Sequence, residues 1–294
     1  MAASKPTSFT RLRAKIAPML RPMLEHVGIF RRPALWLLGR RQPSEFHLDG
    51  CVYKVHPRDF GVTLELHSTG DYEHGTRCCI IELLKPGMTF VDIGAHVGLF
   101  SIPAGRCVGE QGRVFAFEPD PSNRRLLEEN VQANAASNVT VVPMAVADRD
   151  DRMALHCSPY NTGDHQLFCT TRGRHTVEVE VARLDTFMEQ QGGGVDLIKM
   201  DVQGAEGRVL EGMAAVLDSN AALTLIVELS PWMLRDIGDD PLVLLNELSG
   251  RGFRLHTMDE DSGIMTAGSP DEILDRCGER AYLNVIAQRD GAQS

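Results

Sequence analysis

The chain has 294 residues, 43% of them hydrophobic and 24% charged, close to globular averages, which excludes a mainly disordered, fibrous or collagen-like protein. Its net charge is −10, yet residues 1–41 hold nine Lys/Arg against one acid, Glu25; the body is therefore strongly acidic, which argues against an extensive nucleic-acid interface. Seven cysteines, an odd number in a long chain, do not make a disulfide scaffold and read as reduced thiols, and the longest apolar run falls short of the roughly 18–20 residues of a membrane span.

Residues 1–45 read as a basic, partly helical arm. Pro18, Pro22 and Pro33 cut residues 11–41 into short apolar and basic pieces, because proline interrupts helix hydrogen bonding. The stretch lacks the cleavage site and unbroken apolar core of an export signal, so a cytoplasmic protein is expected. Two readings of the arm stand. One is a peripheral contact of residues 11–41 with a membrane surface or a protein partner. The other is a short cap packed on the body through Leu35, Trp36, Leu37 and Leu38.

The body, residues 46–290, opens with a β extension over 46–74. Residues 51–56 and 62–67 alternate apolar and polar side chains, the period of half-buried strands. A helix is expected over 75–84, a strand over 89–94 with a helix after it, and a second strand over 112–118. A helix over 121–134 has proline at its opening turn, and a third strand spans 139–146. A fourth strand covers 195–200, followed by a helix near 205–217, a fifth strand over 223–229, a helix near 241–249, and strands at 253–257 and 282–287. Strands alternating with helices make βαβ units and a parallel sheet, and nearly continuous apolar strands belong to a sheet covered on both faces. The expected fold class is α/β: a Rossmann-like, doubly wound, mostly parallel seven-stranded sheet over 75–290. Residues 147–182 break the alternation. They hold a polar, turn-rich stretch, 158–166, between two segments that read as an antiparallel pair, 153–157 and 176–181.

In an open α/β sheet, ligands bind beyond the carboxyl ends of the strands, where strand order reverses. Val91-Asp-Ile-Gly-Ala-His-Val-Gly98 closes the first core strand and opens a helix. Gly94 and Gly98 let backbone approach a ligand. A dinucleotide fingerprint requires Gly-x-Gly-x-x-Gly, but His96 and Leu99 occupy its second and third glycine positions, and a phosphate-binding Gly-Lys-Ser/Thr is absent. Glu118 ends the second core strand, where an acid accepts hydrogen bonds from ribose hydroxyls. Asp92 and Glu118 together suit a nucleoside without phosphates, and S-adenosylmethionine in particular, whose amino group and ribose are donors.

Four blocks then carry a resemblance: Phe90-Val-Asp-Ile-Gly-Ala-His-Val-Gly-Leu-Phe-Ser101, Val114-Phe-Ala-Phe-Glu-Pro-Asp-Pro121, Leu184-Asp-Thr-Phe187 and Ile198-Lys-Met-Asp-Val-Gln-Gly-Ala-Glu206. Together they resemble the FkbM-type family of class I S-adenosylmethionine-dependent methyltransferases, over residues 75–230. His96 stands where that family often has Asn, and Gln203 where Glu is frequent. The resemblance implies methyl transfer from S-adenosylmethionine to an oxygen of a sugar, glycan or secondary metabolite. It places Asp92, Gly94, Ala95, His96, Gly98 and Glu118 along the cofactor and Ala145 beside the adenine.

Transfer to a hydroxyl needs in-line positioning and a route for the proton. Asp201 ends the fourth core strand and is the first candidate for a base or an orienting group. Glu228, at the end of the fifth, is a candidate contact to an acceptor hydroxyl. His165, in the polar insertion, is a candidate for closing over the acceptor. No Cys-x-x-Cys or clustered Cys/His metal spacing is present, so no metal is expected. The alternatives are a methyltransferase of RNA or protein, or a non-catalytic binding protein that keeps the fold.

Overall fold

The computed structural model describes residues 44–57, 59–170, 173–278 and 281–289. The basic arm falls almost wholly outside the described residues, and so do both readings of it.

A parallel core forms where apolar side chains alternate between two covering layers. Strands β3 (Thr89–Ile93), β4 (Arg113–Phe117), β5 (Val139–Val142), β9 (Leu197–Met200) and β10 (Thr224–Leu229) run parallel in the order β10-β9-β3-β4-β5. Phe90, Val114, Ala116 and Ile226 face one layer, with helices α2 (His74–Leu83), α3 (Ser101–Val108) and α4 (Pro121–Ala133). Val91, Ile93, Phe115, Phe117, Leu225 and Val227 face the other. That layer contains α5 (Leu184–Gln190), α6 (Glu206–Gly212), α7 (Ala214–Ser219), α9 (Pro241–Gly250) and α10 (Pro270–Arg276), with α8 (Pro231–Asp236) at its edge. Chain order reverses between β3 and β9, which creates the crevice at their carboxyl ends. The sheet is completed by β13 (Leu283–Gln288), antiparallel to both β10 and β11 (Arg254–Met258), and by β12 (Met265–Ala267) on the outer edge of β11. The sheet thus has eight strands, one more than expected, the addition being this three-residue exposed edge strand.

Three local expectations need correction. Residues 62–67 are not a strand: Val62–Thr69 is helix α1. Six residues of alternation fit a strand or a helix face, and the buried set here is Val62, Thr63 and Leu66, one side of a helix. The Asp59 carboxylate accepts from the backbone N–H groups of Gly61 and Thr63, which satisfies the helix start from outside. The strand expected over 139–146 breaks at Pro143. Its second half, β6 (Met144–Val146), joins β8 (His175–Ala182) and β7 (Asp151–Cys157) in a separate three-stranded sheet. That sheet contains the antiparallel pair expected in the insertion. The helix expected over 205–217 is two short helices, α6 and α7, that break at Met213.

The N-terminal extension is a hairpin, β1 (Glu45–Leu48) with β2 (Cys51–Lys54), followed by α1. Two asparagines one turn apart, one in the last turn of α4 and one capping its end, bind the hairpin edge as a strand would. Asn134 exchanges two hydrogen bonds with the backbone of Val52 (2.9 and 2.7 Å). Asn130 exchanges two with Lys54 (2.6 and 3.0 Å) and donates to the carbonyl of Val97, 2.9 Å away. Asn130 is fully buried, so its removal strands backbone groups in the interior. Asn130→Ala is expected to lower the free energy of urea unfolding by about 2 kcal/mol, and Asn134→Ala, half-exposed, by less.

Candidate active site

The turn after β3 is folded by contacts that admit only its own residues. Gly94 has φ +88°, and a Cβ there would stand 2.1 Å from the carbonyl oxygen of Asp201. The amide of Asp201 in turn donates to the carbonyl of Ile93 (3.0 Å). Glycine is thus what lets the ends of β3 and β9 touch. The turn then meets β4: Gly94 and Ala95 donate to the Phe117 carbonyl, and His96 N–H donates to Glu118 Oε2 at 2.9 Å. Glu118 Oε1 accepts from Asp120 N–H at 2.8 Å. Asp120 caps α4 by accepting from Ser122 and Asn123.

A cavity opens over this turn. Gly94, Ala95, His96, Phe117 and Glu118 line one side, Met144, Ala145 and Val146 another, and Leu155, Thr162, His165 and Leu167 of the insertion roof it. The roof is tied down: Thr162 N–H donates to Asp59 (2.8 Å), Asn123 donates to the Thr162 carbonyl (3.0 Å), and the Thr162 hydroxyl meets His96 Nε2 (2.8 Å). His96 Nδ1 is buried without a protein partner. Burial pushes the Glu118 carboxyl up to about 8 and holds His96 well below the usual imidazole range.

A second, more polar cleft of about 590 Å³ adjoins the first and shares Val62, Tyr72, Gly163, Asp201 and Gln203 with it. Glu73, Tyr160, Asn161, Glu228 and Trp232 are among its other walls. Beside the shared wall, one oxygen each of Glu73, Asp201 and Glu228 lie within 4.8 Å of one another. Gln203 Nε2 donates to both Asp201 Oδ1 (2.6 Å) and Glu228 Oε1 (3.1 Å). Lys199, 2% exposed, points its Nζ to 3.5 Å from Asp201 Oδ2 and 4.4 Å from the centre of the Phe100 ring. Burial and the neighbouring carboxylates raise the Glu228 carboxyl well above its ordinary value, and burial raises Glu73 to about 7. Glu73, His96 and Gln203 have φ of 40°, 51° and 53°, a strained region for residues other than glycine that concentrates at functional sites.

The crevice gathers most of the residues singled out from the sequence. Gly94, Ala95, His96, Glu118 and Ala145 line the first cavity, Glu228 the second cleft, and Asp201 the wall between them. Asp92 and Gly98 line neither. Asp92 is fully buried behind the turn, its Oδ2 accepting from Ser101 and its Oδ1 without a partner. Gly98 lies against Leu127 and Ile102, where a Cβ would strike Leu127 at 2.7 Å. His165 borders the first cavity rather than the second cleft: its Nδ1 accepts from Ser158 N–H, and its Nε2 stands 3.9 Å from Asp120 Oδ2. Other residues of its loop, Tyr160, Asn161 and Asp164, border the second cleft instead. Sequence reasoning missed Glu73 and Lys199. A lysine inside the apolar strand Leu197–Met200 was a readable signal, since a buried ammonium needs carboxylate partners. Glu73 had none.

The sequence matches the model of the methyltransferase FkbM domain over residues 92–255. The chain belongs to this family. The α/β fold with its large, mostly parallel sheet is the body of this methyltransferase domain, whose family uses S-adenosylmethionine as cofactor. Relatives include Methyltransferase 1 of Beauveria bassiana, 27% identical over 42% of this chain and 57% of that protein. Methyltransferase sdnD of Sordaria araneosa is 30% identical over 46% of this chain and 64% of its own length. The 2-O-methyltransferase NoeI of Sinorhizobium fredii is 30% identical over 45% of this chain and 60% of its own. The matches to this FkbM chain thus span 57–64% of the length of these relatives.

The raised Glu118 carboxyl has a measurable consequence in the cofactor-free domain. Its value is about 8 when folded against 4.5 for the ordinary group, so between those values the folded state holds a proton that the unfolded chain has released. The stability it contributes is full below about pH 4.5 and is lost as pH rises through about 8. Denaturant unfolding at several pH values is expected to show Glu118→Gln with a decline shallower than wild type by up to about 1.4 kcal/mol per pH unit in this window.

Proposed function

We propose that this protein is an S-adenosylmethionine-dependent O-methyltransferase acting on a hydroxyl of a sugar, glycan or secondary metabolite. The observation that carries this reading is the wall at Asp201 and Gln203, shared by a partly apolar cavity and a polar, carboxylate-bearing cleft. The first cavity fits the cofactor. Its apolar side suits a purine, and the Glu118 carboxyl group suits ribose hydroxyls. His96 Nδ1 is a buried polar atom that lacks a partner. In this reading Glu118 holds the ribose, Gly94, Ala95 and His96 the amino-acid part, and Ala145, Leu155 and Leu167 the adenine. When bound, S-adenosylmethionine supplies an electrophilic methyl group on a sulfonium sulfur.

The remaining work falls to side chains of the chain itself. Asp201 accepts the hydrogen bond of the acceptor hydroxyl at the wall between the cavities and takes its proton. Gln203 clamps the Asp201 and Glu228 carboxylates in one orientation through its two hydrogen bonds. A glutamine there, unlike a glutamate, adds a donor and no further charge. Glu228 contacts a second acceptor hydroxyl. His165 takes no part in the proton transfer in this reading, because it sits beside Asp120 on the cofactor side. The name of NoeI, a 2-O-methyltransferase, supports oxygen as the accepting atom.

A cytoplasmic location is part of the proposal. It is supported by seven cysteines without a disulfide among the described residues, which include all seven. No helix among the described residues is long and apolar enough to cross a membrane.

Asp201→Asn is expected to keep cofactor binding and to lose at least 10²-fold in turnover, the typical worth of a general base. Transfer of a labelled methyl group from S-adenosylmethionine into carbohydrate, RNA and protein fractions measures both points. Label in the carbohydrate or metabolite fraction, lost in the variant, is the expected result. Label confined to RNA or protein would contradict the acceptor class, and full turnover in the variant would contradict the base.

A further inference from the structure

Along and behind the shared wall there are more carboxyl groups than one cation can pair. Four of them, those of Asp201, Glu73, Asp92 and Glu228, lie around the single ammonium of Lys199. Three of them converge in the cleft within 4.8 Å, a separation that one ion spans at the oxygen distances of about 2.0–2.6 Å typical for hard divalent cations. Hydrogen bonds do not fill the cluster. Gln203 Nε2 serves one oxygen of Asp201 and one of Glu228, whereas Glu73 Oε2 is buried with no hydrogen-bond partner. Glu73 is only 7% exposed, and a buried carboxylate oxygen without a donor is costly unless a cation meets it.

We propose that Glu73, Asp201 and Glu228 form a binding site for a hard divalent cation, of the magnesium, manganese or calcium class, on the wall of the acceptor cleft. All-oxygen ligation selects these ions over zinc or copper, which favour imidazole and thiolate. The three ligands come from separate elements: Glu73 precedes α2, Asp201 follows β9, and Glu228 lies on β10. The open side of the cluster faces the second cleft, so the ion's remaining positions are available to a pair of acceptor hydroxyls. The ion therefore orients the acceptor, a role that rests on the O-methyltransferase reading; the site itself does not.

Titration of the full chain with Mn²⁺, followed by loss of the free-ion electron paramagnetic resonance signal, tests the site. One ion per chain is expected, with a dissociation constant of about 10⁻⁵–10⁻³ M, displaced by Mg²⁺. Glu73→Gln and Glu228→Gln are each expected to weaken binding at least tenfold, with circular dichroism and S-adenosylhomocysteine binding confirming that they fold. A measurement on the unaltered protein covers the case in which they do not. Pulsed resonance of bound Mn²⁺ should show no nitrogen coupling, whereas an ion held at the Asp120, Cys157 and His165 cluster would show coupling to imidazole and would overturn the proposal. Saturable binding that is absent, or unchanged in both folded variants, would also overturn it. Methyl transfer that survives a chelator, with no Mn²⁺ bound, would refute the site and leave the acceptor reading intact. Mn²⁺ binding with label found only in RNA or protein would do the reverse.

Discussion

One ammonium inside the sheet organises the crevice. Lys199 lies on a strand whose every residue is buried, and a lone charge there would cost several kcal/mol. Carboxylates from four separate segments answer it, while the Phe100 ring covers it at 4.4 Å. Three of those carboxylates are in turn held by neighbouring side chains. Asp92 is tied to Ser101 at the start of α3, and Asp201 and Glu228 are tied to each other through Gln203. The ends of β3, β9 and β10 are thereby fixed relative to one another. The contact of Gly94 with the Asp201 carbonyl closes the same junction from the other side.

The second constraint is the roof. In a bare doubly wound sheet the crevice over β3 and β4 is open to solvent. Here the insertion and the N-terminal extension meet above it. Asp59, just before α1, caps that helix and accepts from Thr162 of the insertion. Thr162 also meets His96 of the turn and Asn123 of α4. Asn130 then ties α4 both to β2 and to the turn. Extension, insertion and the turn after β3 are thus one hydrogen-bonded assembly.

What could be read from the sequence was local. Buried strands show as apolar runs, and the turn Gly94–Gly98 and Glu118 lie within one βαβ unit, where spacing along the chain maps onto distance in space. The antiparallel pair in the insertion was legible from its alternation. The errors arose where a short pattern has two solutions. Alternation over 62–67 fits both a strand and a helix face, and the cap at Asp59 with burial of Val62, Thr63 and Leu66 on one side decides for the helix. Asp92 sits at the right strand end but turns to Ser101, a choice made by side-chain packing rather than by motif. The acidic cluster was illegible because Glu73, Asp201 and Glu228 are separated by more than a hundred residues or brought together by different strands; only strand order makes them neighbours. The lysine in an apolar strand was the one sequence clue that such partners must exist.

In the proposed reading, S-adenosylmethionine occupies the cavity between Glu118 and the Gly94 turn. Isothermal titration with S-adenosylmethionine and S-adenosylhomocysteine, with NAD as control, tests it most directly. Saturable binding of the first two and none of NAD is expected, weakened in Glu118→Ala by about 1 kcal/mol or more, the scale of a hydrogen bond. Wild-type affinity in Glu118→Ala, or binding of NAD in place of the methyl donor, would contradict it.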